Sequence, residues 1–333
     1  MGPHVLEACS VAGHEVVAST HGDHHGMPVV NLDLCDKKSI DDAIREVRPR
    51  VVINLAGVAD PGEAQANPVH AYDVNVLGQL RLITSMLRHI PAARLVILSS
   101  AEVYGNVQQS GPVTELTPLD PYTVYGASKA AAELQAKQFH YTDQLDVVCL
   151  RIFGTLGPGR SPAYFPGRQV HQLAKILGGE GKPIVDTFSL FGGRDYVDVR
   201  DVATAIVGVI EHGHSGMIYN VATGSATPLR SVVERLIAVA GVDAEIREVA
   251  SPAPGRQSII IAGDPSRLIE DTGWQPQRQL DDSLRDALAH VQGASKAKGV
   301  AKRVHDGLAL STKNLRYLMH LSTRKISWRS TRP

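Results

Sequence analysis

The stretch ARLVILSSAEVYG, residues 93–105, decides the fold. Its aliphatic and β-branched residues run almost unbroken to Ser99 and Ser100, the texture of a parallel strand covered on both faces rather than a half-exposed, alternating one. Working outward, HEVVAS (14–19), RVVINLAG (50–57) and LDVVCLRIF (145–153) repeat it. Between these runs, SIDDAIREV (39–47) and AYDVNVLGQLRLITSMLRHI (71–90) carry apolar residues at three- and four-residue spacing, and YGASKAAAELQAKQFHY (125–141) is rich in helix-favouring Ala, Glu, Lys and Gln. Strand and helix alternate, which predicts an α/β fold with a doubly wound parallel sheet over residues 1–153.

From residue 154 the texture changes to GTLGPGRSPAYFPG (154–167) and GGEGKPI (178–184), so residues 154–292 read as a smaller α/β substrate lobe, with segments near 195–222 able to rejoin the first domain. Within it, VRDVATAIVGVIEHG (199–213) is strongly helical in period, and LRSVVERLIAVAG (229–241) ends in a glycine placed as a helix stop. The lobe closes with DPSRLIEDTGWQP (264–276) and LDDSLRDALAHV (280–291).

The net charge of zero hides a split: residues 293–333 hold ten Lys or Arg and one Asp, which leaves 24 basic against 33 acidic residues before them. An acidic body argues against a nucleic-acid partner. The basic end is expected to be a disordered tail, with LRYLMHL (315–321) its one amphipathic run. No stretch approaches the roughly 18 apolar residues of a membrane span, and the first residues lack the basic and apolar regions of a secretory signal, so a cytoplasmic location is expected. Cys9, Cys35 and Cys149 are too few and too scattered for a disulfide framework or zinc site, and read as reduced packing residues.

The chemistry lies in Tyr125-Gly126-Ala127-Ser128-Lys129. On a helix, positions i and i+4 share a face, so phenol and ammonium can point into one cleft. A tyrosine of ordinary pKa ~10 is a poor acid–base group near neutrality, and a nearby cation would favour its phenolate. Isolated, such a pair is more often a chance surface neighbour. Here Ser100 ends a strand 25 residues earlier, at the carboxyl edge where open α/β sheets place ligands.

With INLAG (53–57), DVNVLG (73–78), SSAEVYG (99–105), PYTVYGASK (121–129), LRIFGTLGPGR (150–160), RDYVDVRDV (194–202), YNVATG (219–224) and GDPSRLIEDTGWQP (263–276) in this order, the chain resembles the extended short-chain dehydrogenase/reductases, in their NAD-dependent epimerase/dehydratase branch. The resemblance covers about residues 2–292 and implies a Rossmann-like domain, a nicotinamide cofactor, a nucleotide-diphosphate sugar as substrate and a homodimer formed through the helices carrying Tyr125 and residues 71–90. It implies catalysis by Ser100, Tyr125 and Lys129. It also places Asp33 and Leu34 against the adenine, and Leu55, Ala56, Gly57, Phe153, Tyr125 and Lys129 along the cofactor cleft, with Asn75 in support.

Within the branch the look is that of GDP-6-deoxy-4-keto-hexose reductases and GDP-mannose 4,6-dehydratases. Glu102, two positions after Ser100, matches the dehydratase base; Ala101 replaces the Asp of dTDP-glucose dehydratases. The expected activity is hydride transfer at sugar C4, by a reductase or a dehydratase, with a 4-epimerase as the alternative. Arg160, Arg194 and Arg256 are the candidates to grip the diphosphate. Gly154 departs from the family, which carries a substrate-binding Asn there.

Two further expectations concern the beginning of the chain. Gly2 aligns with the last glycine of the family's cofactor loop, so the first strand and most of that loop are missing, the neighbouring sheet edges should lie unpaired, and the true start is expected upstream; an inactive, truncated relative is the alternative. Cofactor choice is read at the end of the second family strand, where Ser19, Thr20 and His21 replace an acidic residue and lean toward NADP over NAD, with Asp23 nearby. His21, His24 and His25 read as a solvated loop, with no metal expected.

Overall fold

The computed structural model describes residues 1–20, 29–107, 111–250 and 260–307, with side chains described up to residue 294. Four parallel strands, Val51–Asn54, Arg94–Ser100, Val147–Ile152 and Ile218–Val221, lie side by side in that order. The continuous apolar runs are explained by what covers them. Val96, Val148 and Leu150 face a cluster with Val5 and Cys9 of the Gly2–Val11 helix and with Val202, Ile206 and Val209 of Val199–Glu211. Their neighbours Leu95, Ile97, Val147 and Cys149 face the opposite cluster, built with Ile40, Ile44, Leu82, Ile83, Met86 and Ala136. Side chains alternate across a strand, so a sheet with helices on both faces needs an apolar residue at every position.

The sheet is in two pieces. Ala18–Thr20 and Val29–Asn31 form a separate parallel pair, and among the described residues Val51–Asn54 pairs only with Arg94–Ser100. All four residues of Val51–Asn54 are partly exposed. Among the described residues the second edge of Val51–Asn54 has no ladder partner.

The smaller sheet has Gly193–Asp198 at its centre, flanked by Ala226–Pro228 and Ile260–Ile261 and joined by Gly154–Leu156. A separate core of Leu156, Val170, Leu173, Val232, Val233, Leu236 and Leu284 lies in this part of the chain. The two parts are tied by Asp195, which is fully buried. Its carboxylate accepts from the Thr223 and Gly224 amides at 2.9 Å, the Thr223 hydroxyl at 2.6 Å and the Gly263 amide at 3.3 Å. The RDYVDV, YNVATG and GDPSR segments thus meet at one carboxylate. Gly241, with φ +65°, ends the Leu229–Ala240 helix as read from the sequence.

Contacts divide the chain into Met1–Val291 and Gln292–Pro333. The Leu280–Gly307 helix carries on to Gly307, where a disordered extension was expected from Gly293. Ala and Lys recur in this stretch, and both favour helix. The 315–321 run lies outside the described residues. Among the described residues no helix is long and apolar enough to cross a membrane. All three cysteines are free; Cys9 and Cys149 are buried, but Cys35 is exposed, which corrects its reading as a packing residue.

Candidate active site

The site is assembled where the Val124–Asp143 helix begins against the turn that follows Arg94–Ser100. Thr123 caps the helix, its hydroxyl accepting from the Gly126 amide at 3.0 Å. The next turn, Ala101–Val103, is capped by Ser100, whose hydroxyl accepts from the Glu102 amide at 3.2 Å. The two elements touch at Gly126. A Cβ there would stand 2.5 Å from the Glu102 carbonyl oxygen, so glycine is what lets the helix approach. The approach sets Tyr125 beside the Ser100 turn, and the Thr123 hydroxyl donates a long bond to the Glu102 carboxylate at 3.5 Å.

Lys129 stands on the same helix face. Its ammonium lies 5.9 Å from the Tyr125 ring centroid and donates to the Leu98 carbonyl at 2.8 Å. Burial lowers its pKa to about 8, against a partial lift from Cys149 and Glu133. Tyr125 is pushed the other way from expectation. Burial raises its phenol to about 12; Ser100 pulls it down, Glu102 and Tyr164 push it up, and the cation acting on it is Arg160. The correction has a plain cause: in a dry cleft, desolvation of a phenolate outweighs the help of an ammonium already committed to a carbonyl.

Asn75 sits in one wider helical turn, Asp73–Gly78, and is buried. Its amide donates to Ser128 at 2.9 Å and to the Val58 carbonyl at 3.1 Å, and its oxygen accepts from the Val58 amide at 2.8 Å. These bonds pin the Tyr125 helix to the loop after Val51–Asn54. On that loop Leu55, Ala56 and Gly57 are exposed, and a Cβ on Gly57 would stand 2.9 Å from the Asn75 oxygen and 3.5 Å from the Lys129 nitrogen.

Other residues marked in the sequence are placed differently. The Leu34 side chain is buried against Gly78, leaving only its backbone to meet a ligand. Asp33 accepts from the Cys35 amide at 2.8 Å. The Phe153 ring is buried against Tyr104 and Gly263, so it supports the cleft from behind instead of lining it. Gly2 opens its helix beside the Pro158–Arg160 stretch, where His4 meets the Pro158 carbonyl at 3.2 Å and the Met1 amino group feels Arg160. Arg194 lies on the central strand of the smaller sheet and donates to the Gly193 carbonyl at 2.9 Å. Arg256, His21, Asp23, His24 and His25 lie outside the described residues.

Arg160, a candidate for the diphosphate, has its guanidinium 4.4 Å over the Tyr164 ring, with the buried Nε hydrogen-bonded to no group among the described residues. Tyr196 also belongs to this neighbourhood. A Cβ on Gly154 would stand 2.7 Å from the Tyr196 ring, so that ring occupies the space of the family's Asn. Tyr164 and Tyr196 carried no local sequence signal of a site role. Thr123 did: it is a capping residue two positions before Tyr125.

The sequence model described as GDP-mannose 4,6 dehydratase matches residues 9–287. The chain belongs to that family. It is 31% identical over 277 residues to the GDP-6-deoxy-D-mannose reductase of Pseudomonas aeruginosa, spanning 82% of this chain and 90% of the relative. The solved structure of RMD from Pseudomonas aeruginosa complexed with NADPH superposes with a TM-score of 0.78 at 29% identity, covering 88% of this chain and 95% of that one. The Thermus thermophilus UDP-glucose 4-epimerase complex with NAD gives 0.78 at 29% identity, covering 88% and 96%. Membership of this nucleotide-sugar enzyme family accounts for the two-part architecture and for the Ser100, Tyr125 and Lys129 arrangement at one strand end.

Proposed function

We propose that the chain transfers hydride at C4 of a nucleotide-linked hexose, as a 4-keto-hexose reductase or a GDP-mannose 4,6-dehydratase. The observation that carries this reading is the seating of the Tyr125 helix on the Ser100–Glu102 turn, through the close approach of Gly126 to the Glu102 carbonyl and the Thr123 bond to the Glu102 carboxylate. The likeness to a GDP-6-deoxy-D-mannose reductase supports the substrate class.

The residues present fit a nicotinamide dinucleotide. Leu55, Ala56 and Gly57 are open at the carboxyl end of a strand, and a side chain at 57 would crowd Asn75 and Lys129. Asp33 and the Leu34 backbone would meet the adenine end, and Gly2, Tyr125 and Lys129 would complete the cleft. Ala18–Thr20 brings Ser19 and Thr20 to its end, with no carboxylate among the strand's own residues, which supports NADP over NAD. When bound, the cofactor supplies or accepts the hydride.

The protein's part is proton transfer and orientation. Ser100 holds the C4 oxygen in line with Tyr125, which gives that oxygen a proton on reduction or takes one on oxidation. In a dehydratase, Glu102, steadied by Thr123, removes the proton from the adjacent C5. Arg194 is the candidate for the diphosphate. A 4-epimerase would use Ser100 and Tyr125 alike and would leave Glu102 without a chemical role.

A homodimer fits the exposed Tyr72 and Leu77 on one helical segment and Leu134 and Tyr141 on the Val124–Asp143 helix that packs beside it. Three free cysteines and a cytosolic cofactor fit a cytoplasmic enzyme. The test is a panel of GDP- and UDP-linked hexoses and 4-keto-hexoses with NADPH and NADP, following cofactor absorbance and keto-sugar formation. Turnover of a GDP-4-keto sugar or of GDP-mannose is expected; turnover only of UDP-hexose to its C4 epimer would move the assignment to the alternative.

A further inference from the structure

Tyr104 directly follows the Ala101–Val103 turn and is fully buried. Its amide donates to the Ala101 carbonyl at 3.1 Å, closing the turn. Its ring lies 6.1 Å from the Phe153 ring and 4.9 Å from the Arg151 guanidinium. The bonds around its phenol leave it one orientation. Arg151 spends Nε and Nη2 on the Glu133 carboxylate and Nη1 on two acceptors, the Tyr104 oxygen at 3.0 Å and the Glu115 carbonyl at 3.1 Å. The phenol therefore accepts from Arg151, and its own hydrogen goes to the Asn220 amide oxygen at 2.6 Å. That amide is fixed the right way round, because its nitrogen donates to the Val113 carbonyl at 2.9 Å and the Asp264 carbonyl at 3.3 Å. Burial pushes the Tyr104 phenol up to about 12, so it keeps that hydrogen across the working range of an enzyme.

These bonds connect the two elements that meet at the candidate active site. Glu133 stands four residues beyond Lys129 on the Val124–Asp143 helix, on the face that carries Tyr125 and Lys129. Arg151 lies in register with Ser99, the residue before Ser100, on one neighbouring strand and with Asn220 on the other. Beyond Tyr104 the chain is held again. Gly105, at φ +60°, has no room for a Cβ against the Asp120 carbonyl, which also accepts from the Asn106 amide at 3.2 Å, and Asp120 leads into the Thr123 cap.

We propose that Tyr104 is a positioning residue for the reaction: its phenol, bonded to Arg151 and Asn220, fixes the turn that carries Ser100 and Glu102 against the Tyr125 helix. The inference rests on the reading of Ser100 and Tyr125 as the groups that act on the sugar, so its test includes a readout without turnover.

Tyr104→Phe, made in the full chain, keeps the ring and leaves Arg151 Nη1 and the Asn220 oxygen each short of a partner. Single-turnover hydride transfer is expected to fall about tenfold, with KM and cofactor affinity within about twofold of the parent. Amide hydrogen exchange over residues 100–105 is expected to rise about tenfold. Val209→Ala, a cavity in the core under the Val199–Glu211 helix, reports what lost stability does by itself, and should keep the hydride-transfer rate within about twofold and show no such local rise. A Tyr104→Phe rate within about twofold of the parent, or a rise over 100–105 that Val209→Ala reproduces, would overturn the proposal. Should Tyr104→Phe not fold, Arg151→Lys keeps a charge beside Glu133 but lacks the fork that also spans the phenol, and must show the same loss of rate and the same local exchange; parental values overturn the proposal equally. Exchange that rises as described in a protein that turns over no sugar of the panel would sink the proposed function and leave the placement of the turn by Tyr104 standing. Turnover with exchange unmoved would do the reverse.

Discussion

The carbonyl oxygen of Glu102 lies 2.5 Å from where a Cβ on Gly126 would stand, and that closeness joins the Tyr125 helix to the Ser100 turn. Gly126→Ala would force the two apart by several tenths of an ångström. Reactions that depend on alignment lose rate steeply with displacement. We expect kcat lower by about 10²-fold with far-UV circular dichroism unchanged. Activity within twofold of the parent would mean that the contact is not needed.

The lowered pKa of Lys129 has a stability consequence. Its ordinary value of 10.5 falls to about 8 in the folded chain, so between these values the unfolded chain binds more protons. Stability then rises with pH over that window, and the cost of burying the charge is fully present below it. Lys129→Met should therefore stabilise the protein at neutral pH by about 1–3 kcal/mol, after allowance for the lost bond to Leu98 and partial exposure, while turnover collapses. Urea midpoints of parent and variant at neutral pH and at pH ~10 check this: the difference should shrink at the higher pH.

The buried pair of Arg151 and Glu133 calls for the opposite outcome. The guanidinium donates to Glu133 at 2.7 Å and 3.1 Å, and also to the Tyr104 hydroxyl at 3.0 Å, with both side chains under 5% exposed. Glu133→Gln or Arg151→Met strands the partner charge and should cost about 3–5 kcal/mol in chemical denaturation. The double replacement Glu133→Leu with Arg151→Met should cost much less than the sum of the two single changes.

Gly154 stands where the family resemblance leads one to expect a substrate-binding Asn. Restoring that Asn is not expected to improve the enzyme, because the Tyr196 ring and the Asp195 carbonyl already lie 2.7 Å from the Cβ position. Gly154→Asn should lower the thermal midpoint, by about 1–3 kcal/mol of overpacking, and raise KM for any nucleotide sugar. A variant with unchanged melting and lower KM would show that the ring yields readily.

Much of this was legible in the chain of letters. Leu95, Val96, Ile97, Val148 and Leu150 announce a sheet covered on both faces because each position needs an apolar partner, and Thr123, Tyr125 and Lys129 are fixed relative to one another by helical spacing alone. Long-range effects were not legible. That Asp195 gathers three segments and that Phe153 turns into the core both depend on residues distant in sequence. The ionisation of Tyr125 was misread for the same reason. A lysine four residues on can be counted from the sequence, but the desolvation that pushes the phenol to about 12 is set by the surrounding walls.

The most direct measurement is single-turnover hydride transfer by Tyr125→Phe beside the parent, with NADPH affinity followed by cofactor fluorescence. The substitution removes one oxygen from the phenol and leaves the ring under Lys129. Loss of rate by about 10²–10⁴-fold with cofactor affinity preserved is the predicted result. Hydride transfer at the parental rate would contradict the assignment of Tyr125 as the acid–base group.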